Sequence, residues 1–210
     1  MKKPNIRVSF LLITALLLGG CAAAARILYP VQLDPLKSKP GIYKLDPTHA
    51  NIIFAVDHLG FSLHHGRFNQ IAGSLELNTE APEKSRVFIE VAAASIDTNN
   101  VELDQMLRDR EMFDTANFPI ITFESFKLTR IGEKAAAIEG YLTIKGVRKP
   151  LAIEATFVGS GINPLTGLAT VGFSGKGRFK RSDFGLDRWL PFVGDEVNLI
   201  LEAEFGRIEG

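Results

Sequence analysis

Four histidines, His49, His58, His64 and His65, and one cysteine, Cys21, are the side chains of this 210-residue sequence best suited to metal binding or nucleophilic chemistry. A metal site needs three or four ligands converging on one point. His64 and His65 are neighbours and would face opposite ways on a strand; no two histidines stand at i, i+2 or i, i+4. No metal is therefore expected. His58, in step with Phe54 and Val56, is read as an interior residue, either hydrogen-bonded or touching the polar head of a ligand. His49 follows Asp46-Pro47-Thr48 at a strand start, where it would fix a turn. A single cysteine excludes an internal disulfide and a zinc site of several thiolates. A Gly-x-Ser-x-Gly elbow is missing: Gly172-Phe173-Ser174-Gly175 lacks the spacing and lies in a strand pattern. No glycine-rich stretch opens a helix as a phosphate loop does. Asp104, Asp109, Glu111 and Asp114, among Arg108 and Arg110, read as a solvated charged face. The chain is thus expected not to be an enzyme, with no catalytic residue and no cofactor.

Cys21 fits a different chemistry. Lys2, Lys3 and Arg7 precede an apolar run, Phe10 to Leu18, which has the length of an export-signal core and is too short for a comfortable membrane span. Leu18-Gly19-Gly20-Cys21 then resembles a bacterial lipobox, whose cysteine is acylated and becomes the new N-terminus. Cleavage after Ala22 to Ala25 of an ordinary signal peptide is the alternative. Several acyl chains on one residue anchor stably where one does not, and Ala22 after the cysteine suits sorting to the outer membrane. The expected divisions are a signal peptide over 1–20, a lipid-anchored tether over 21–40 and a domain over 41–208. Pro30, Pro35 and Pro40 suit a tether, with a packed arm as the alternative. The expected location is the periplasmic face of the envelope, otherwise the periplasm or the exterior. Without residues 1–20, the 24 basic residues fall by 3 to 21 against 24 acidic ones. That balance disfavours a nucleic-acid partner.

The elements that would position these residues are strands. From Gly41 onward apolar residues recur with period two. Val87, Ile89 and Val91 share a face, as do Ile121 and Phe123, and Ile138, Gly140, Leu142 and Ile144. So do Leu151, Ile153, Ala155 and Phe157, and Val197, Leu199, Leu201, Ala203 and Phe205. Turn residues lie between them, at 130–134, at Lys145-Gly146 before Pro150, and at 161–167. The pattern predicts an all-β antiparallel meander of about eight strands closing into a barrel. One short helix is inserted over Val101 to Arg110, with Leu103, Met106 and Leu107 on one face and Asn99 with Glu102 at capping-box spacing. It would plug a barrel end or cover the sheet.

Hydrophobic residues make up 46% of the chain, and 15 Phe against 1 Trp and 3 Tyr form an aromatic set without polar tips. Phe can line a dry interior without a hydrogen-bond partner. A barrel of this size is filled by its side chains or holds a small ligand; both remain open on pattern alone. Parity puts Phe54, His58, Phe68, Val91, Phe123, Ile144, Phe157, Phe173 and Leu201 on the lumen wall, where they would bind the ligand. The glycines of Val171 to Phe179 mark a corner or a cavity.

Longer motifs carry a resemblance. Leu45-Asp46-Pro47-Thr48-His49-Ala50, Phe54 to Ser62 and Gly66-Arg67-Phe68 are similar to the opening of the YceI-like polyisoprenoid-binding family. Ser95 to Thr98 with Asp104, Leu107 and Phe113-Asp114 resemble its middle segment. Phe118 to Phe123, Gly140 to Gly146, Arg181 to Leu186 and Val193 to Val197 follow in family order, so that the likeness spans about residues 42–206. It implies a lipocalin-like barrel holding an isoprenoid-tailed lipid, of polyprenyl or quinone type, with no metal and no catalytic step. The expected role is carrier or reservoir at the envelope, with the lipid and, through acylated Cys21, the membrane as partners, and a homodimer left open. Two departures stand out: Ala50 where the family commonly has Ser, and the lipobox where most members are soluble. The alternative function is a structural or stress-related envelope protein with a filled barrel acting through a protein partner. An envelope enzyme would need a polar cluster in the lumen, around His58 and Arg67.

Overall fold

The computed structural model describes residues 28–208. Cys21, and with it the expected signal and acylation site, lies outside them. The described chain forms β1 (Gly41–His58), β2 (Ser62–Phe68), β3 (Ile71–Leu77), β4 (Arg86–Ala92) and β5 (Ile96–Asp97), then helix α1 (Val101–Arg108). After it come β6 (Ile120–Arg130), β7 (Ala135–Ile144), β8 (Val147–Ile162), β9 (Ala169–Lys180) and β10 (Val193–Arg207). All pairings are antiparallel, and β10 pairs back onto β1. β2 and β3 are two halves of one bent stave against β1, and β4 and β5 form another beside it. The result is the closed eight-stave barrel that the alternation predicts.

Alternation fixes which way each strand faces. Along β8, Leu151, Ile153, Ala155 and Phe157 are buried and Ala152, Glu154 and Thr156 exposed. A one-residue slip would turn all of them over, so the pattern holds the register. The β7–β8 turn is two residues, Lys145 at φ 51° and Gly146 at φ 74°; two positive φ values mark the hairpin turn that matches strand twist. Pro150 does not belong to this turn, as its neighbourhood suggests, but pairs with Tyr141 inside β8. Of the glycines of β9, Gly172 stands beside a bulge in β8 between Phe157 and Gly159. Gly177 faces Ile153, whose Cδ1 lies 2.6 Å from where a Cβ would stand, so its bare backbone makes room for a neighbour.

His49 is not at a strand start. It lies within β1, in an insertion where five steps from Leu45 to Ala50 face two from Phe205 to Ala203. Asp46 accepts from the backbone N–H of Thr48 (2.9 Å) and from its hydroxyl (2.6 Å), and His49 Nδ1 lies 2.8 Å from the other carboxylate oxygen. The expected turn-fixing role of His49 thus reappears as the lock of a bulge.

Before the barrel, residues 28–40 run against it. β8 extends past its last pairing with β7, Thr156 with Ala135, and Gln32 pairs with Ser160 beyond that point. Ser38 is buried and donates to the Ser160 hydroxyl at 2.9 Å. Over this stretch the chain is held to the barrel at Gln32 and Ser38, while Leu28, Val31 and Leu33 stay exposed.

Helix α1 starts one residue later than the capping-box spacing suggests and ends at Arg108. Asn99 sits at φ 60°, and it is Asn100 whose side chain accepts from the N–H of Leu103. Leu107 is buried, but Met106, placed on the same face from sequence, is exposed. Nor are the nearby carboxylates all solvated. Asp104 is buried and accepts from the N–H and the hydroxyl of Thr98, and Asp114 is buried beside the Asn117 amide. Asp104 braces the loop between β5 and α1, and Asp114 the stretch that follows α1.

Candidate functional site

The inward faces of all eight staves enclose one cavity of about 690 Å³. That lies within the usual range for small-molecule sites, about 300–1,000 Å³. Its walls include residues from both ends of the barrel. At the upper end stand the α1 segment and the β9–β10 loop; at the lower end stand the β3–β4 and β6–β7 connections and Pro35 and Leu36 of the arm.

All nine residues assigned to the lumen by parity stand on this wall: Phe54, His58, Phe68, Val91, Phe123, Ile144, Phe157, Phe173 and Leu201. His58 differs from its expected setting. It is exposed at the upper rim and its ring has no hydrogen bond to a described residue, so it is not an interior group. Phe157, Phe173 and Phe205 stack edge to face with centroids 5.7 and 6.3 Å apart. Phe68 bridges Phe54 and Phe113 at 5.9 Å each.

Two glycines keep the lumen open. A Cβ at Gly66 would lie 2.3 Å from the ring of Phe54, and one at Gly140 2.5 Å from the ring of Phe123. The tip of each ring therefore occupies the space over the bare backbone of the next strand.

The upper end carries the lining that parity cannot find. Leu103, Leu107, Met112 and Phe113 face the cavity from α1 and the irregular stretch behind it. No period-two pattern runs through such a segment, so its inward residues leave no alternating trace. Arg108 ties α1 to the barrel by donating to the carbonyls of Ala94 and Ile96 at 2.8 Å each. On the opposite side the guanidinium of Arg181 is buried and donates to the carbonyls of Gly194, Leu186, Arg188 and Val193. Burial pulls its pKa down, partly offset by Asp195 and Asp187. Burial opposes the charge of Asp195 too, but the N–H and hydroxyl of Ser182 and the charges of Arg181 and Lys180 outweigh it and hold that carboxyl below its usual range.

The buried polar side-chain atoms of the wall are paired, with one exception among the described residues. Ser174 and Glu202 bond each other at 2.8 Å. Nε2 of His64 is the exception: it is buried with no hydrogen-bond partner among the described residues. The signal for His64 was in the sequence, since it shares parity with Phe68. Among the described residues no three His, Cys, Asp or Glu side chains gather as metal ligands. Arg67 points away from the lumen and pairs with Asp97 at 3.5 Å, so it forms no polar cluster with His58.

Comparison with known proteins follows the same outline. A family profile described as a YceI-like domain matches residues 43–205. A UPF0312 protein of Azotobacter vinelandii is 36% identical over 156 residues, 74% of this chain and 81% of that protein. A UPF0312 protein of Pseudomonas aeruginosa is 37% identical over 164 residues, 77% of this chain and 85% of its own. Among solved structures, the Campylobacter jejuni YceI protein superposes with a TM-score of 0.64 at 28% identity, over 73% of this chain and 90% of that one. A polyisoprenoid binding domain from Saccharophagus degradans shares the fold, with a TM-score of 0.58 at 15% identity over 81% of this chain and 100% of its own.

Proposed function

The chain belongs to the YceI-like domain family, and we propose that its barrel binds a long apolar isoprenoid lipid, of polyprenyl or quinone type, as carrier or reservoir at the bacterial envelope. The observation that carries this is the cavity of about 690 Å³ running between the ends of the barrel behind a hydrocarbon wall. The name of the Saccharophagus degradans domain points to the same ligand class. Each buried methylene contributes about 0.8 kcal/mol, so a five-carbon unit contributes roughly 3–4 kcal/mol. Several units offset the cost of association, on the order of 4–15 kcal/mol. Binding of this kind requires no catalytic group. A filled barrel acting only through a protein partner would not need this hollow.

Mass spectrometry of an organic extract of the protein, purified without detergent, tests the proposal. A prenyl lipid in stoichiometric amount is expected. Its absence, together with no uptake of added polyprenol or quinone, would overturn it. A side chain that fills the lumen gives a second test. Ala155, on the wall opposite Gly175, replaced by Trp should abolish uptake while the β-sheet circular dichroism persists. We further propose that acylated Cys21 holds the barrel at the periplasmic face, on the outer membrane. Metabolic labelling with an alkyne fatty acid should mark the wild type and leave Cys21→Ala unlabelled; equal labelling of both would refute the anchor.

A further inference from the structure

We infer that His64 is the docking point for an uncharged oxygen-bearing head group, a hydroxyl or a carbonyl, on the lipid held in the lumen. The inference rests on the lipid-binding reading of the barrel and says which end of the ligand goes where. His64 lies on β2 opposite Val56 of β1, two residues above Gly66, on the cavity wall near the upper end.

Of the other polar side chains lining this end, Thr98, Asn100 and Arg181 are committed to the fold, and His58 is exposed to solvent at the rim. The Thr98 hydroxyl donates to Asp104 at 2.7 Å, and the Asn100 side chain caps α1 at 3.0 Å. Arg181 donates to four backbone carbonyls. Among the described residues only Nε2 of His64 is buried and unpaired. A buried polar atom without a partner costs stability and is rare in folded proteins. A partner that arrives with the ligand removes that cost. The neutral imidazole suits either head group: depending on the tautomer, Nε2 donates to a carbonyl or accepts from a hydroxyl. A diphosphate would instead demand a free cation, and four of the five N–H groups of the guanidinium in this part of the wall are held by backbone carbonyls.

The test uses the lipid-stripped full-length protein and three probes that share one tail: farnesol, farnesene, which lacks a head group, and farnesyl diphosphate. Trp189, the sole tryptophan, lies on the lumen wall and reports binding by its fluorescence. Wild type should bind farnesol on the order of fivefold tighter than farnesene, the worth of one hydrogen bond. Farnesyl diphosphate should bind no better than farnesol. His64→Leu should bring farnesol and farnesene to within about twofold while still binding farnesene; His64→Gln, which keeps a donor and an acceptor, should retain the preference. A preference that survives in His64→Leu overturns the inference, as does a wild type that does not distinguish the two or that favours the diphosphate. In those cases bound farnesene leaves the lumen proposal standing. A wild type that takes up none of the probes overturns both.

Discussion

The bulge in β1 makes a testable statement about protons. The hydroxyl of Thr48, His49 and the N–H of Thr48 together hold Asp46 down to a pKa of about 2, and the Asp46 carboxylate raises His49. Because the folded pKa of Asp46 is depressed, its contribution to stability is present above the unfolded value, about 3.9, and is lost as pH falls through about 2. His49 has the opposite sign: its contribution is full below about 6.5 and is lost as pH rises through its higher folded value. NMR titration should find the His49 midpoint above 6.5, moving back toward it in Asp46→Asn; a midpoint indifferent to that change would show the pair does not interact. Arg181 is the second residue to test. Replacing it with Met strands four carbonyls, and urea unfolding should show a loss of about 2–4 kcal/mol; a change below roughly 0.5 kcal/mol would mean water serves those carbonyls as well. Neither role is legible in sequence. His49 betrays only a local turn motif, and the partners of Arg181 are backbone atoms up to thirteen positions away.

Strands were easier to read than what joins them. In β4, β7, β8 and β10 one face must be hydrocarbon and the other wet, so each side chain announces its direction. The same logic put its nine chosen residues beside the cavity, His58 only at the exposed rim, and it missed His64 although that residue shares parity with Phe68. It failed at α1. There the cap moved from Asn99 to Asn100, Met106 turned outward, and Asp104 went inside, because a two-turn helix is positioned by the bonds of Arg108 and Thr98 rather than by its own periodicity. Gly140 offers a test at this scale. An added methyl would meet the Phe123 ring at 2.5 Å and the Glu124 carbonyl oxygen at 2.7 Å. The ring can swing but the backbone cannot, so Gly140→Ala should cost about 1–3 kcal/mol in chemical denaturation and push Phe123 into the lumen. Wild-type stability with unchanged lipid uptake would show that β6 and β7 can separate to accept it.

At the scale of the whole molecule, the hollow and the fold share a single support. Wall residues that face a void lack dispersion partners on one side, and a bound tail would supply them. The melting temperature should therefore rise with lipid content, by RT ln(1 + [L]/Kd) in free energy, about 2.7 kcal/mol at a hundredfold excess over Kd. Identical melting of stripped and loaded protein would mean that the tail does not bind the folded barrel. The closure itself carries another consequence. The first stave completes its pairing only with the last, β1 with β10 across 193–207. No shorter chain emerging from the ribosome possesses a closed container. Until residue 207 is free both seams stay unzipped, and a guardian protein has cause to hold the nascent polypeptide during that interval.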